Sequence, residues 1–161
     1  MRSRFLVLGL TFAAAATALA APTLAKWPPW LSIESPVNPF DAAARNGAVM
    51  LVHATFREGI AKLSDISGTA EGIVNGQRKS ITLHFDTTAR PGVFAVSRQW
   101  PNEGTWLVRV ALQTTTALVT FDRAGNVASV RVPTMLQGND RLPRAVGSKE
   151  IDSTLAEAAK R

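Results

Sequence analysis

The chain has 161 residues, 18 of them basic and 12 acidic, a formal net charge of +6, and no cysteine. That length suits one ordinary domain rather than two. Without cysteine there is no disulfide framework, no thiolate metal site, no catalytic thiol and no lipidated cysteine of a lipoprotein, so the fold must be held by its core alone.

The first residues set the expected destination. Met1 to Arg4 carry two arginines, Phe5 to Ala20 carry no charge, and Ala18-Leu19-Ala20 supplies the small residues read by a signal peptidase. A basic start, a short apolar run and a small-residue exit predict a signal peptide over residues 1–20. Thr23-Leu24-Ala25 is a second candidate exit. An uncleaved anchor is the alternative, but the run is Ala-rich and short against the roughly 20 apolar residues of a bilayer span. The expected location is therefore outside the cytoplasm, periplasmic or secreted, with no membrane span after cleavage. Loss of Arg2 and Arg4 leaves 16 basic against 12 acidic residues. These are scattered, with Arg78-Lys79 and Lys160-Arg161 the closest basic pairs, and no dense basic stripe with interleaved aromatics marks a nucleic-acid surface.

Residues 21–47 read as an arm. Trp27-Pro28-Pro29-Trp30, Pro36 and Pro39 disfavour helix and remove backbone donors. Within the arm Leu31–Glu34 alternates as an edge strand would, and Asp41–Arg45 suits one helical turn before Asn46-Gly47. The arm is expected to fold back and bury its indoles on the sandwich. The functional alternative makes Trp27 and Trp30 an interaction surface, because exposed Trp offers large, rigid contact area.

From Ala48 the hydrophobic period is two. Ala48–Phe56 places Met50, Val52, Ala54 and Phe56 on one face. Arg57–Ser67 is a connection. Thr69–Val74 and Gln77–Thr87 flank Asn75-Gly76, a strong hairpin signal. Val93–Gln99 follows a turn at Arg90-Pro91-Gly92, and Trp100 is expected to pack on Pro101 at the next turn. Trp106, Val108, Val110 and Leu112 then alternate, and Trp106 is expected inward with Phe85 and Phe94. The opposite face, which carries Leu107, is the candidate solvated side. Ala117, Val119 and Phe121 form the next strand, and Ala128, Val130 and Val132 close the series. Lys149–Ala159 is the expected helix, capped by Ser148, with Ile151, Leu155 and Ala158 as its apolar stripe. Seven to eight short strands with a turn every eight to twelve residues predict an all-β, antiparallel β-sandwich, a closed barrel being the alternative. The expected division is signal peptide 1–20, arm 21–47, sandwich 48–134, and a C-terminal extension with a short helix over 135–161.

Pro91-Gly92-Val93-Phe94-Ala95-Val96 followed by Trp100-Pro101-Asn102-Glu103-Gly104-Thr105-Trp106 resembles the penultimate hairpin of exported immunoglobulin-like sandwiches of the YtkA/FixH-like and transthyretin-like kind. The resemblance implies an immunoglobulin-like fold. The His and Met clusters that hold metal in some such modules have no clear counterparts here, so no site and no cofactor is carried over.

Candidate chemistry is sparse. His53 and His84 are the only histidines, and neither has a ligand neighbour at a metal-binding spacing. A metal-responsive module using His53, His84 and Met50, with Met135 as a further soft ligand, is the runner-up function. No Gly-x-Ser-x-Gly is present; Ser64, Ser67, Ser80 and Ser97 sit in ordinary contexts, and no carboxylate is bracketed as a raised-pKa acid. The expected function is thus a non-catalytic binding or interaction module, its partner an unknown protein or envelope component. In a Gram-negative host the chain is expected to lose residues 1–20 on export. Intact-mass measurement of the exported material checks this, and a dominant full-length mass in the membrane fraction would overturn it.

Overall fold

The computed structural model describes residues 27–122 and 124–160. The expected signal peptide over 1–20 lies outside the described residues. The chain is mostly antiparallel sheet. Its elements in order are β1 (Trp30–Glu34), α1 (Ala42–Arg45), β2 (Ala48–Phe56), β3 (Gly59–Ile60), β4 (Ile66–Val74), β5 (Gln77–Thr82), β6 (Asp86–Thr87) and β7 (Val93–Ser97). There follow β8 (Thr105–Leu112), β9 (Thr115–Phe121), β10 (Val127–Arg131), β11 (Thr134–Gln137), β12 (Asp140–Pro143) and α2 (Ser148–Ala158). The first sheet runs β1-β2-β7-β6 with β3 also paired to β2, the second runs β10-β9-β8-β4-β5, and β11 and β12 form a separate hairpin.

The two sheets stack in a sandwich-like arrangement because alternate residues of each are apolar. Leu31, Met50, Val52, Ala54, Phe94 and Val96 of the first sheet meet Ala70, Trp106, Val108, Val110, Ala117 and Val119 of the second in one buried cluster. The middle of the inner face of β4, between Ile66 and Val74, is small. A Cβ at Gly72 would run into the Trp106 ring, and one at Gly68 into the Phe85 ring. Trp106 is 2% exposed, and its indole N–H donates to the Glu103 carbonyl at 2.8 Å. The β4–β5 hairpin turns on Asn75 (φ 51°) and Gly76 (φ 76°), the left-handed pair that a two-residue hairpin loop demands.

Several elements depart from the sequence reading. The expected strand Gln77–Thr87 is two strands in two sheets: β5 ends at Thr82, and Leu83–Phe85 crosses to the first sheet, where β6 pairs with β7. The crossing is held by Gln99, whose side chain accepts from the His84 N–H and donates to the His84 carbonyl, each at 2.8 Å. Trp100 is buried and packs at a tilt on Phe121, ring centroids 4.8 Å apart. In β10 a register shift between Val127 and Ser129 leaves Ala128 and Val130 exposed, while Val127 and Val132 pack on the core. The hairpin β11–β12 was not expected, and the strand segments number twelve among the described residues rather than seven or eight. The N-cap of α2 is Gly147, with Ser148 already the first helical residue and no side-chain cap.

The largest correction concerns Leu107, which is 0% exposed. Ile151 and Leu155 of α2, with Val146, cover Leu107 and Leu118 on the outer face of the second sheet. Ion pairs fasten the helix along both sides. Arg78 bridges Glu71 and Asp152, while Arg144 donates to both Glu150 oxygens at 2.8 and 3.1 Å. Trp106→Ala is expected to cost about 3–5 kcal/mol and Leu107→Ala about 2–5 kcal/mol, the ranges for emptying buried sites. Denaturant midpoints read this. A Leu107→Ala cost within the surface range of about ±0.5 kcal/mol would mean that α2 does not sit on this face.

Candidate functional site: the outer face of the first sheet

The second sheet is roofed by α2, but the first is covered over only part of its outer side. Strand pairing places three cross-strand rows there. Glu34, Leu51 and Ala95 form one, Ser32, His53 and Val93 the next, and Trp30, Thr55 and Ile60 the last. Odd-numbered residues of β2 face outward because the even-numbered set Met50, Val52 and Ala54 faces the core.

Segment 37–48 closes the first row. Asp41 caps α1, its Oδ1 accepting from the Ala43 N–H at 2.9 Å, and Ala43 then packs on Leu51, Val93 and Ala95, with Val37 and Ala48 at the margin. Charge gathers between the first and middle rows. His53 Nε2 lies 2.8 Å from Glu34 Oε2, and Arg90 Nη2 donates to the same Glu34 oxygen at 3.2 Å and to Asp41 Oδ2 at 3.1 Å. One guanidinium thereby ties β1, the α1 cap and the loop before β7 together. The hydrogen bond from His53, with smaller help from Arg90 and against partial burial, holds the Glu34 carboxyl below its ordinary 4.5. A cleft of about 480 Å³ opens beside this cluster, its lining mixed, with Ala43, Ala48 and Ala95 beside Asp41, Asp86 and Arg90.

The last row is open. Trp30 is 57% exposed, Ile60 54% and Trp27 48%. The Arg57 guanidinium lies 5.9 Å from the Trp27 ring centroid. The arm does fold back, as expected: Leu31 is in the core, and Thr115 Oγ1 donates to the Pro29 carbonyl at 2.6 Å. Its indoles nevertheless face outward. Pairing of Trp30 with Thr55 dictates this, since Leu31 and Ile33 take the inward positions of β1.

The other candidate residues do not converge. Met50 is fully buried on the core side of β2, opposite His53. His84 is exposed beside Gln99, just past the end of β7, whereas His53 pairs with Val93 at its start. Met135 is half exposed on the β11–β12 hairpin. Among the described residues no three His, Asp or Glu side chains group as metal ligands would. Ser80 Oγ donates to Glu71 Oε1 at 2.9 Å. On the far side of the molecule, a cleft of about 290 Å³ lies between α2 and β10, lined by Thr120, Ser129, Arg131 and Thr154. Sequence reasoning named Trp27 and Trp30 but missed Ile60 and the Glu34–His53–Arg90–Asp41 cluster. The signal for Ile60 was an exposed aliphatic in a short connection; the cluster needed the β1–β2 register.

Comparison with known proteins gives no match to a family model, a curated protein or a solved structure.

A carboxylate held below its ordinary value in the folded state stabilises the fold above its unfolded-state pKa, and that stabilisation is lost as pH falls through the folded value. The wild type is therefore expected to exceed Glu34→Gln in stability at neutral pH, and the gap is expected to narrow as pH falls below 4.5. Melting temperatures of both proteins across pH 3–7 check it. A gap that persists unchanged at the acid end would mean that Glu34 acts without its charge.

Proposed function

We propose that the protein is an exported, non-catalytic binding module, immunoglobulin-like in plan, that meets its partner through the open end of the first sheet. One observation carries the reading: Trp30 and Ile60 share a cross-strand row and are more than half exposed, and Trp27, three residues before Trp30 and under the Arg57 guanidinium, is 48% exposed. Large apolar side chains grouped on a rigid surface are the usual mark of a contact site, and indoles dominate such sites energetically. The contrast with the second sheet supports it, since there the fold supplies α2 to bury the equivalent face. The antiparallel sheets, with one strand crossing between them, support the immunoglobulin-like likeness at the level of plan. Export rests on the basic, apolar and small-residue order of the first 20 residues.

Site-specific photo-crosslinking in the exporting host tests the surface. A photoreactive residue at position 30 or 60 is expected to give discrete adducts with an envelope component, protein or lipid. The same residue at Lys79, exposed on β5, is expected to give none. Equal labelling from all three positions, or none from 30 and 60, would remove this face as the contact surface.

A further inference from the structure

The open row is also the part of the described chain nearest in sequence to the apolar leader. Phe5–Ala25 carries no charged residue, and Trp27 follows two residues later, at most about 7 Å of extended chain. While that stretch engages a bilayer, before the expected loss of residues 1–20, Trp27 and Trp30 are held at the bilayer's edge, where release would leave them.

The surface has the composition that such a position favours. Indoles settle at the boundary between hydrocarbon and headgroups, ring inward and N–H toward water. Ile60, and three residues on Leu63 at 43% exposed, supply aliphatic contact beside them. Arg57, lying over Trp27, can keep its stem on the apolar surface while its guanidinium meets phosphate. Charges along Arg57–Asp65 balance, with Arg57 and Lys62 against Glu58 and Asp65. Attraction must therefore come from apolar contact rather than from an anionic surface potential, which acts on clusters of basic residues. A folded protein partner would be expected to meet more of this face. Here Ala43 covers Leu51, Val93 and Ala95, and the next row is edged by the partly exposed Glu34–His53–Arg90–Asp41 cluster, so the apolar contact is limited to the end of the face.

We infer that the Trp27–Trp30–Ile60 tip seats on the surface of a lipid bilayer, at headgroup depth and without crossing it. This rests on the binding-surface reading above and names the class of partner for that surface.

Quenching by phosphatidylcholine vesicles with brominated acyl chains tests the inference on the full chain and on residues 21–161, the form expected after export. Trp100 and Trp106 are buried, 4% and 2% exposed, and serve as an internal unquenched signal. Trp27→Phe isolates Trp30 as the exposed reporter, away from the residue that the leader would tether. Its emission is expected to fall on adding vesicles, to fall less with Ile60→Ser added, and to stay level in Trp27→Phe/Trp30→Phe. Leu136→Ser, on the β11–β12 hairpin, is expected to leave the quenching unchanged, as is raised salt. An unquenched Trp30 in vesicle-bound protein would mean tethering by the leader alone and would overturn the inference. If position 30 then crosslinks to a protein in cells, the binding surface stands and only the bilayer is lost. If it crosslinks to nothing, both readings fall.

Discussion

Trp106 lies against the backbone of Gly72, and Phe85 against that of Gly68, so β4 can present no side chain at either point. Between Ile66 and Val74 the inner face of this strand runs Gly68, Ala70, Gly72, and the bulk of the core at its middle must come from elsewhere. It comes from β8 through Trp106, Val108 and Val110, from the first sheet, and from the crossing segment through Leu83 and Phe85. The space above Gly68 is what lets Phe85 enter the core while the chain passes between the sheets. That passage in turn depends on Gln99, whose amide takes both backbone groups of His84 at the point where neither sheet can. A methyl group at Gly72 or Gly68 would push a ring into a core packed at crystal-like density, with no slack to take it up.

Much of the fold was legible, and the failures have physical causes. Ala48–Phe56, Thr105–Leu112 and Thr115–Phe121 alternate because one face of each strand meets the other sheet. The end of β5 at Thr82 was hidden because Ile81, Leu83 and Phe85 keep alternating through the crossing. Both sheets share one core, so an inward residue looks the same whichever sheet it serves. The hairpin β11–β12 gave no periodic signal because Thr134–Gln137 is exposed throughout. Its one clue was the Gly138-Asn139 turn pair. The sheet side of Leu107 was misjudged for a different reason: the helix that covers it comes some forty residues later (from Ser148), and a narrow stripe of Ile151 and Leu155 does not say where it will land.

The candidate surface divides in the same way. Trp27 and Trp30 stand out in any reading of the chain, since two indoles around two prolines are rare enough to notice. Whether they face in or out is set by a register of pairing, and so is the meeting of Glu34 with His53 across 19 positions. A shift of one residue in β1 would send Trp30 inward and Leu31 to solvent. The cluster around Arg90 resists such a shift, because it joins β1 to β2 and to the α1 cap through charge-assisted bonds.

The register shift between Val127 and Ser129 in β10 bears on a hazard that every open sheet carries. A straight, unpaired strand edge is a template on which a second chain can add, and such addition propagates. The bulge breaks the repeat of β10 within a five-residue strand at one end of the second sheet. The other end, β5, begins Gln77-Arg78-Lys79, whose charges disfavour stacking of like upon like. In the first sheet β6 is two residues long, and β1 is preceded by Pro28-Pro29 and followed by Pro36. None of these four borders offers a long flat run of free backbone donors. A sandwich-like fold kept together without disulfides is thereby less open, at its sheet borders, to strand-by-strand addition of one copy onto another.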